Sequence, residues 1–101
     1  MSDTVYTPQQ IKTILQPVFA DYNVKKAVLF GSYAKGLADK KSDVDILVDS
    51  GLKGLAFFGL LEDVVISLDK NVDLIDVTQV AKNSNIDTNI NNTGIIIYEA
   101  N

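Results

Sequence analysis

A chain of 101 residues, 47% of them apolar and none in a repetitive tract, has the length for one compact domain over 1–101 and not for two. It contains no cysteine and no histidine, which excludes disulfides, thiolate nucleophiles, Cys-type zinc sites and the commonest general base, so its chemistry must run on carboxylates, hydroxyls, lysines and backbone. The formal charge of −4 sets eleven aspartates and two glutamates against nine scattered basic residues, which excludes a basic nucleic-acid-binding stripe; no direct nucleic acid binding is expected.

Thr7-Pro8-Gln9-Gln10 is a helix start, with Thr7 as N-cap, Pro8 at the first helical position and Gln10 closing a capping box. Ile11, Ile14, Leu15, Val18, Phe19 and Tyr22 recur on one helical face. They predict a first helix to about Asp21, irregular at Pro17 because proline lacks the donor for an internal bond. Ala27-Val28-Leu29-Phe30 is a continuous apolar run that fits a central strand buried on both faces. Residues 43–49 alternate instead, with Val44, Ile46 and Val48 on one face and Asp43, Asp45, Leu47 and Asp49 on the other, which is a second strand.

Beyond the glycine-containing segment 50–54, Phe57, Phe58, Leu61, Val64, Val65 and Leu68 form the apolar stripe of a helix ending near Lys70. Residues 72–77 read as a third strand, and 81–92 as a weak helix with few apolar anchors beyond Ile86 and Ile90. Ile95-Ile96-Ile97-Tyr98, after the turn signal Thr93-Gly94, is a fourth strand. This order predicts an α/β fold with a small mixed β-sheet of about four strands and helices packed on it. No stretch approaches the roughly 18 apolar residues of a membrane span, and Met1 leads into Ser2, Asp3 and Thr4 rather than a secretory leader. The expected location is cytoplasmic, with no membrane partner.

The chemistry-bearing residues lie around the first two strands. Gly31 permits close backbone approach, Ser32 adds a hydroxyl, and residues from Tyr33 are placed to open a short helix with its amides toward an anion, together a phosphate cradle. Alone, Gly-Ser is more often an ordinary turn, and Asp43 and Asp45 are more often the polar side of a half-buried strand. The two features ten residues apart, each in strand context, point to one site. Asp43 and Asp45 project to the same face within reach of a shared cation. Carboxylates drawn together repel, and a divalent ion such as Mg²⁺ relieves them. Asp73 and Asp76 differ in parity and point to opposite faces, so the third strand offers either one as a further carboxylate.

Residues 28–49, V-L-F-G-S-Y-A-K-G-L-A-D-K-K-S-D-V-D-I-L-V-D, resemble the signature of the DNA polymerase beta-like nucleotidyltransferases, with the spacing of their minimal, MNT-type members. Val72-Asp73-Leu74-Ile75 resembles the strand carrying that family's third carboxylate, so the likeness covers roughly residues 24–99. It implies the nucleotidyltransferase fold and Mg²⁺-dependent transfer of a nucleoside monophosphate from a nucleotide triphosphate, with ATP as the favoured substrate. It also implies a two-metal site of Asp43, Asp45 and Asp73, with Asp73, rather than Asp76, on the side of the acceptor hydroxyl as ligand and base. Gly31, Ser32 and Lys35 would then meet the phosphates, Lys35 as a point charge.

Larger relatives carry a further domain for the acceptor, whereas this chain ends three residues after its last predicted strand. The acceptor is then brought by a partner or a second subunit, in a homo- or hetero-oligomer, or is small enough for an open surface. Minimal members of this kind resemble the antitoxin half of HEPN/MNT toxin–antitoxin pairs. That likeness implies transfer of AMP to a tyrosine of a HEPN-type toxin ribonuclease, and the acidic charge suits a basic protein partner. The alternatives are nucleotidylation of a small antibiotic and a non-catalytic antitoxin that only covers its partner. A pure binder has no need of Asp43, Asp45 and Asp73 on adjoining strands.

Overall fold

The computed structural model describes residues 3–100. Helix α1, Pro8–Asp21, opens on the expected capping box: the Thr7 hydroxyl accepts from the Gln10 amide at 3.1 Å and the Gln10 side chain accepts from the Thr7 amide at 2.8 Å. Its apolar stripe buries Ile11, Leu15 and Phe19. The helix runs unbroken through Pro17, which sits on the exposed side where the carbonyl it leaves unpaired meets water.

The chain continues through β1 (Lys26–Phe30), α2 (Gly31–Lys35), β2 (Val44–Asp49), α3 (Leu55–Leu68), β3 (Val72–Asp76), a 3₁₀ turn (Val77–Gln79), α4 (Asn85–Thr93) and β4 (Ile95–Glu99). The sheet order is β3-β2-β1-β4, so the apolar run of β1 is central, as its two-sided burial requires. β1 pairs antiparallel with β2 and β4, while β2 and β3 are parallel and joined by α3 as the crossover.

Register decides which side chains share a face. Ala27 opposes Val48 and Leu29 opposes Ile46, and these four with Val44 are buried under α1 and α3 alongside Leu60, Val64 and Leu68. On β4 the register shifts: Ala27 pairs with Tyr98 but Val28 with Ile96, so Ile97 is the extra residue of a β-bulge. The bulge turns two consecutive residues inward. Ile97 is fully buried, and the Tyr98 ring packs 5.6 Å from that of Phe19.

The opposite face carries Val28, Phe30, Asp45 and Leu47 and is only partly covered, by α2 and α4. α4 is the predicted weak helix, capped where the Ser84 hydroxyl accepts from the Asp87 amide and burying no residue completely. Its end lies tight on β1, since a Cβ at Gly94 would stand 2.5 Å from the Ile90 carbonyl oxygen and 2.8 Å from Val28 Cγ1. Close approach therefore requires Gly94, beyond the turn its sequence suggests. Among the described residues no helix is long and apolar enough to cross a membrane.

Candidate active site

β1 delivers the chain to the open face at Gly31, whose φ of +70° lies in the left-handed region. A Cβ on Gly31 would overlap the Asp45 carboxylate, so the Gly-Ser turn and the first half of β2 touch directly. In the parallel register Asp45 stands opposite Asp73, and their carboxyls share a hydrogen bond. Asp45 is half-buried and Asp73 exposed. Burial, then the hydrogen bond and charge of Asp73, then the charge of Asp43 push the Asp45 carboxyl up from 3.8 to about 6.

The other predicted residues surround this contact at different ranges. Asp43 is exposed, one residue before β2 begins, and acts on Asp45 through charge. Ser32 is half-buried as the second residue of α2, and Lys35 is exposed as its last. α2 starts at Gly31 rather than Tyr33, because the left-handed glycine itself turns the strand into the helix. Tyr33 is consequently a core residue: it is buried, its hydroxyl lacks a hydrogen-bond partner among the described residues, and burial raises its pKa.

Asp76 lies apart from the site. Its carboxylate accepts from the Ser50 hydroxyl at 2.6 Å and amide at 3.2 Å, and from the Thr78 hydroxyl at 2.8 Å and amide at 3.1 Å. Burial alone would raise its pKa, but these bonds together outweigh burial and hold it below the ordinary aspartate value. The Gln79 side chain closes the cap by accepting from the Asp76 amide, which ends β3 one residue short of the predicted strand. Asp39 is likewise engaged locally, accepting from the Lys41 amide at 2.8 Å in an exposed turn.

Among the described residues no three acidic side chains close into a cage that could hold a metal unaided. The Asp45–Asp73 pair still fits Mg²⁺, which commonly binds through one or two carboxylates and completes its shell with water and substrate phosphates. The crowding that raises Asp45 is the strain a divalent ion would relieve. The pair opens into a groove of about 440 Å³, walled by Phe30, Leu61, Ile75 and Ile86 beside the two carboxyls. In sequence, Leu61 reads only as part of the apolar stripe of α3 and Ile86 only as an anchor of α4. The one signal for Ile86 is its standing as a rare apolar anchor in an asparagine-rich helix.

Residues 9–101 match the family described as "Polymerase beta, Nucleotidyltransferase". The chain is 38% identical over 72 residues to a protein of Methanocaldococcus jannaschii named "Putative protein adenylyltransferase", the alignment covering 65% of this chain and 73% of that protein. Among solved structures, a chain from a toxin–antitoxin crystal structure with AMP-PNP superposes with a TM-score of 0.74 at 24% identity, covering 88% of this chain and 73% of that one. A chain from the tri-AMPylated Shewanella oneidensis HEPN toxin in complex with MNT antitoxin gives 0.69 at 21% identity, covering 93% and 74%. At these identities the two structures establish likeness of fold.

Proposed function

This chain belongs to the polymerase beta nucleotidyltransferase family and is a nucleotidyltransferase, and on that premise we propose that it transfers AMP from ATP to a tyrosine of a HEPN-type toxin, acting in the cytoplasm as the antitoxin. The observation that most supports a working site is the Asp45 carboxyl packed against Gly31 and paired with Asp73, which joins the phosphate turn to the carboxylates. Gly31, Ser32 and Lys35 would meet the triphosphate. Asp45 and Asp73, with Asp43 at the rim, would hold Mg²⁺, which supplies neutralisation of the crowded carboxylates and of the triphosphate charge. The acceptor oxygen bonds to the α-phosphorus as the bond to pyrophosphate breaks, and the hydroxyl proton passes to Asp73.

A protein acceptor is supported by the surface of α3, where Leu55, Phe58 and Ile66 stand 89%, 54% and 73% exposed along one side of the helix. Large apolar side chains exposed together on one side of a helix suit a protein contact, and the exposed Glu62 between Phe58 and Ile66 adds a charge for a basic partner. The relatives point the same way: one is named for protein adenylylation, and another structure holds an AMPylated HEPN toxin. With Mg²⁺, labelled ATP and a HEPN-type protein encoded beside it, the chain is expected to label a tyrosine covalently. Asp45→Asn and Asp73→Asn should each slow labelling by about 10³-fold, the equivalent of several kcal/mol of transition-state stabilisation. Labelling untouched by both substitutions would defeat the mechanism, and neutralisation of the partner without label would favour the non-catalytic antitoxin.

A further inference from the structure

β3 is an edge strand, and its register fixes which backbone groups face outward. The Val44 amide donates to the Asn71 carbonyl at 3.0 Å, so Asn71, Asp73 and Ile75 turn their backbone groups toward β2, and Val72, Leu74 and Asp76 turn theirs away. The outward amide of Asp76 is taken by Gln79 at 3.2 Å. Those of Val72 and Leu74 have no partner among the described residues. This free edge does not face bulk solvent on a flat surface. It forms the floor of the groove that Leu61 of α3 and Ile86 of α4 wall on either side, and that ends at the Asp45–Asp73 pair.

From this arrangement we infer that the acceptor protein enters as an extended segment that adds a strand to the free edge of β3. The inference rests on the proposed transfer to a protein hydroxyl and says how that hydroxyl arrives. Two outward backbone pairs suit a short strand addition, and Leu61 and Ile86 would take alternate side chains on its two faces. The segment is basic by charge complementarity. The charged side chains lining the groove are Asp45 and Asp73, and no lysine lines it. A guest residue opposite Asp73 shares the open face with both carboxyls. Two strand spacings, roughly 9.6 Å, separate the guest backbone from β2, and a tyrosine laid across β3 spans most of that, bringing its hydroxyl between Asp73 and Asp45.

The test uses the full chain, Mg²⁺, labelled ATP and a synthetic peptide with one central tyrosine flanked by lysines and β-branched residues. N-methylation of alternate peptide amides should raise KM roughly three- to tenfold per methyl group, while methylation of the intervening amides leaves it unchanged, because only every second amide faces β3. On the protein side, Val72→Pro removes one outward donor at the first position of an edge strand, where proline is tolerated, and should raise KM comparably without changing kcat, whereas Val72→Thr should not. Equal effects of methylation at all positions, or N-acetyl-tyrosinamide labelled as readily as the peptide, would overturn strand addition while leaving the transferase reading intact. No label on any peptide or partner tyrosine would overturn both. The methylated peptides require no variant to fold.

Discussion

β3 carries two aspartates three residues apart whose surroundings are opposite. Asp76 is buried and accepts four hydrogen bonds from Ser50 and Thr78, so its negative charge is satisfied and it ties the end of β2 to the end of β3. Asp73 is exposed and meets another carboxyl, Asp45, with a third, Asp43, close enough to raise Asp45 further. The residue type and the strand are the same, and the strand's parity assigns the difference. A carboxylate that supports a fold is given donors; a pair of carboxylates given each other is stable only when something positive comes between them.

Substitution at Asp76 separates the two roles most strongly after loss of the site carboxylates themselves. Asp76→Ala leaves the buried Ser50 hydroxyl and amide without their acceptor and should cost about 2–4 kcal/mol of folding stability. Chemical denaturation would register that loss, and AMP transfer measured well below the melting temperature should persist. A variant that kept its stability but lost transfer would reverse the assignment of the two aspartates.

Gly31→Ala tests the other side of the comparison. The added methyl group meets the Asp45 carboxylate and the backbone holds a positive φ that alanine resists, so the carboxyl must move. Misplacing a reacting group by about 1 Å costs up to about 10²-fold, so transfer should fall by roughly ten- to a hundredfold with the fold retained. Steady-state labelling beside a circular dichroism melt distinguishes this outcome from simple unfolding.

How far the sequence discloses this division depends on whether a contact is local. The capping box of α1 is legible because Thr7 and Gln10 are three residues apart, and the central place of β1 because a strand buried on both faces has no polar side to show. The spacing of Gly31-Ser32 to Asp43 and Asp45 is legible for the same reason. By contrast, Asp76 finds Ser50 across 26 residues, through a parallel pairing of β2 and β3 that no turn signal announces. Parity could say only that Asp73 and Asp76 point apart, not which of them would meet donors. Nor does a run of three isoleucines reveal the bulge at Ile97, since identical residues carry no period, and Gly94 reads as a turn when its role is to let α4 approach Val28.

The two aspartate environments also oppose each other in pH, with separate windows. Asp76 has a depressed folded pKa, so its contribution is present above the ordinary aspartate value of 3.8 and is lost as pH falls below it. Asp45 has a folded pKa raised to about 6, so its contribution is full below 3.8 and is lost as pH rises through 6. Without divalent metal, stability should therefore climb from strong acid to about pH 4 and then decline toward pH 6. The decline is about 1 kcal/mol once a shift of about two units is discounted for solvent screening at a half-exposed carboxyl. Melting temperature against pH would show it as a fall of several degrees. Asp45→Asn should abolish that decline and leave the acid limb in place, and Mg²⁺ should restore stability above pH 6 in the natural chain but far less in the variant, because the ion acts on the charge that the substitution removes. A decline that survived in Asp45→Asn would mean that the repulsion resides elsewhere than in the Asp45–Asp73 pair.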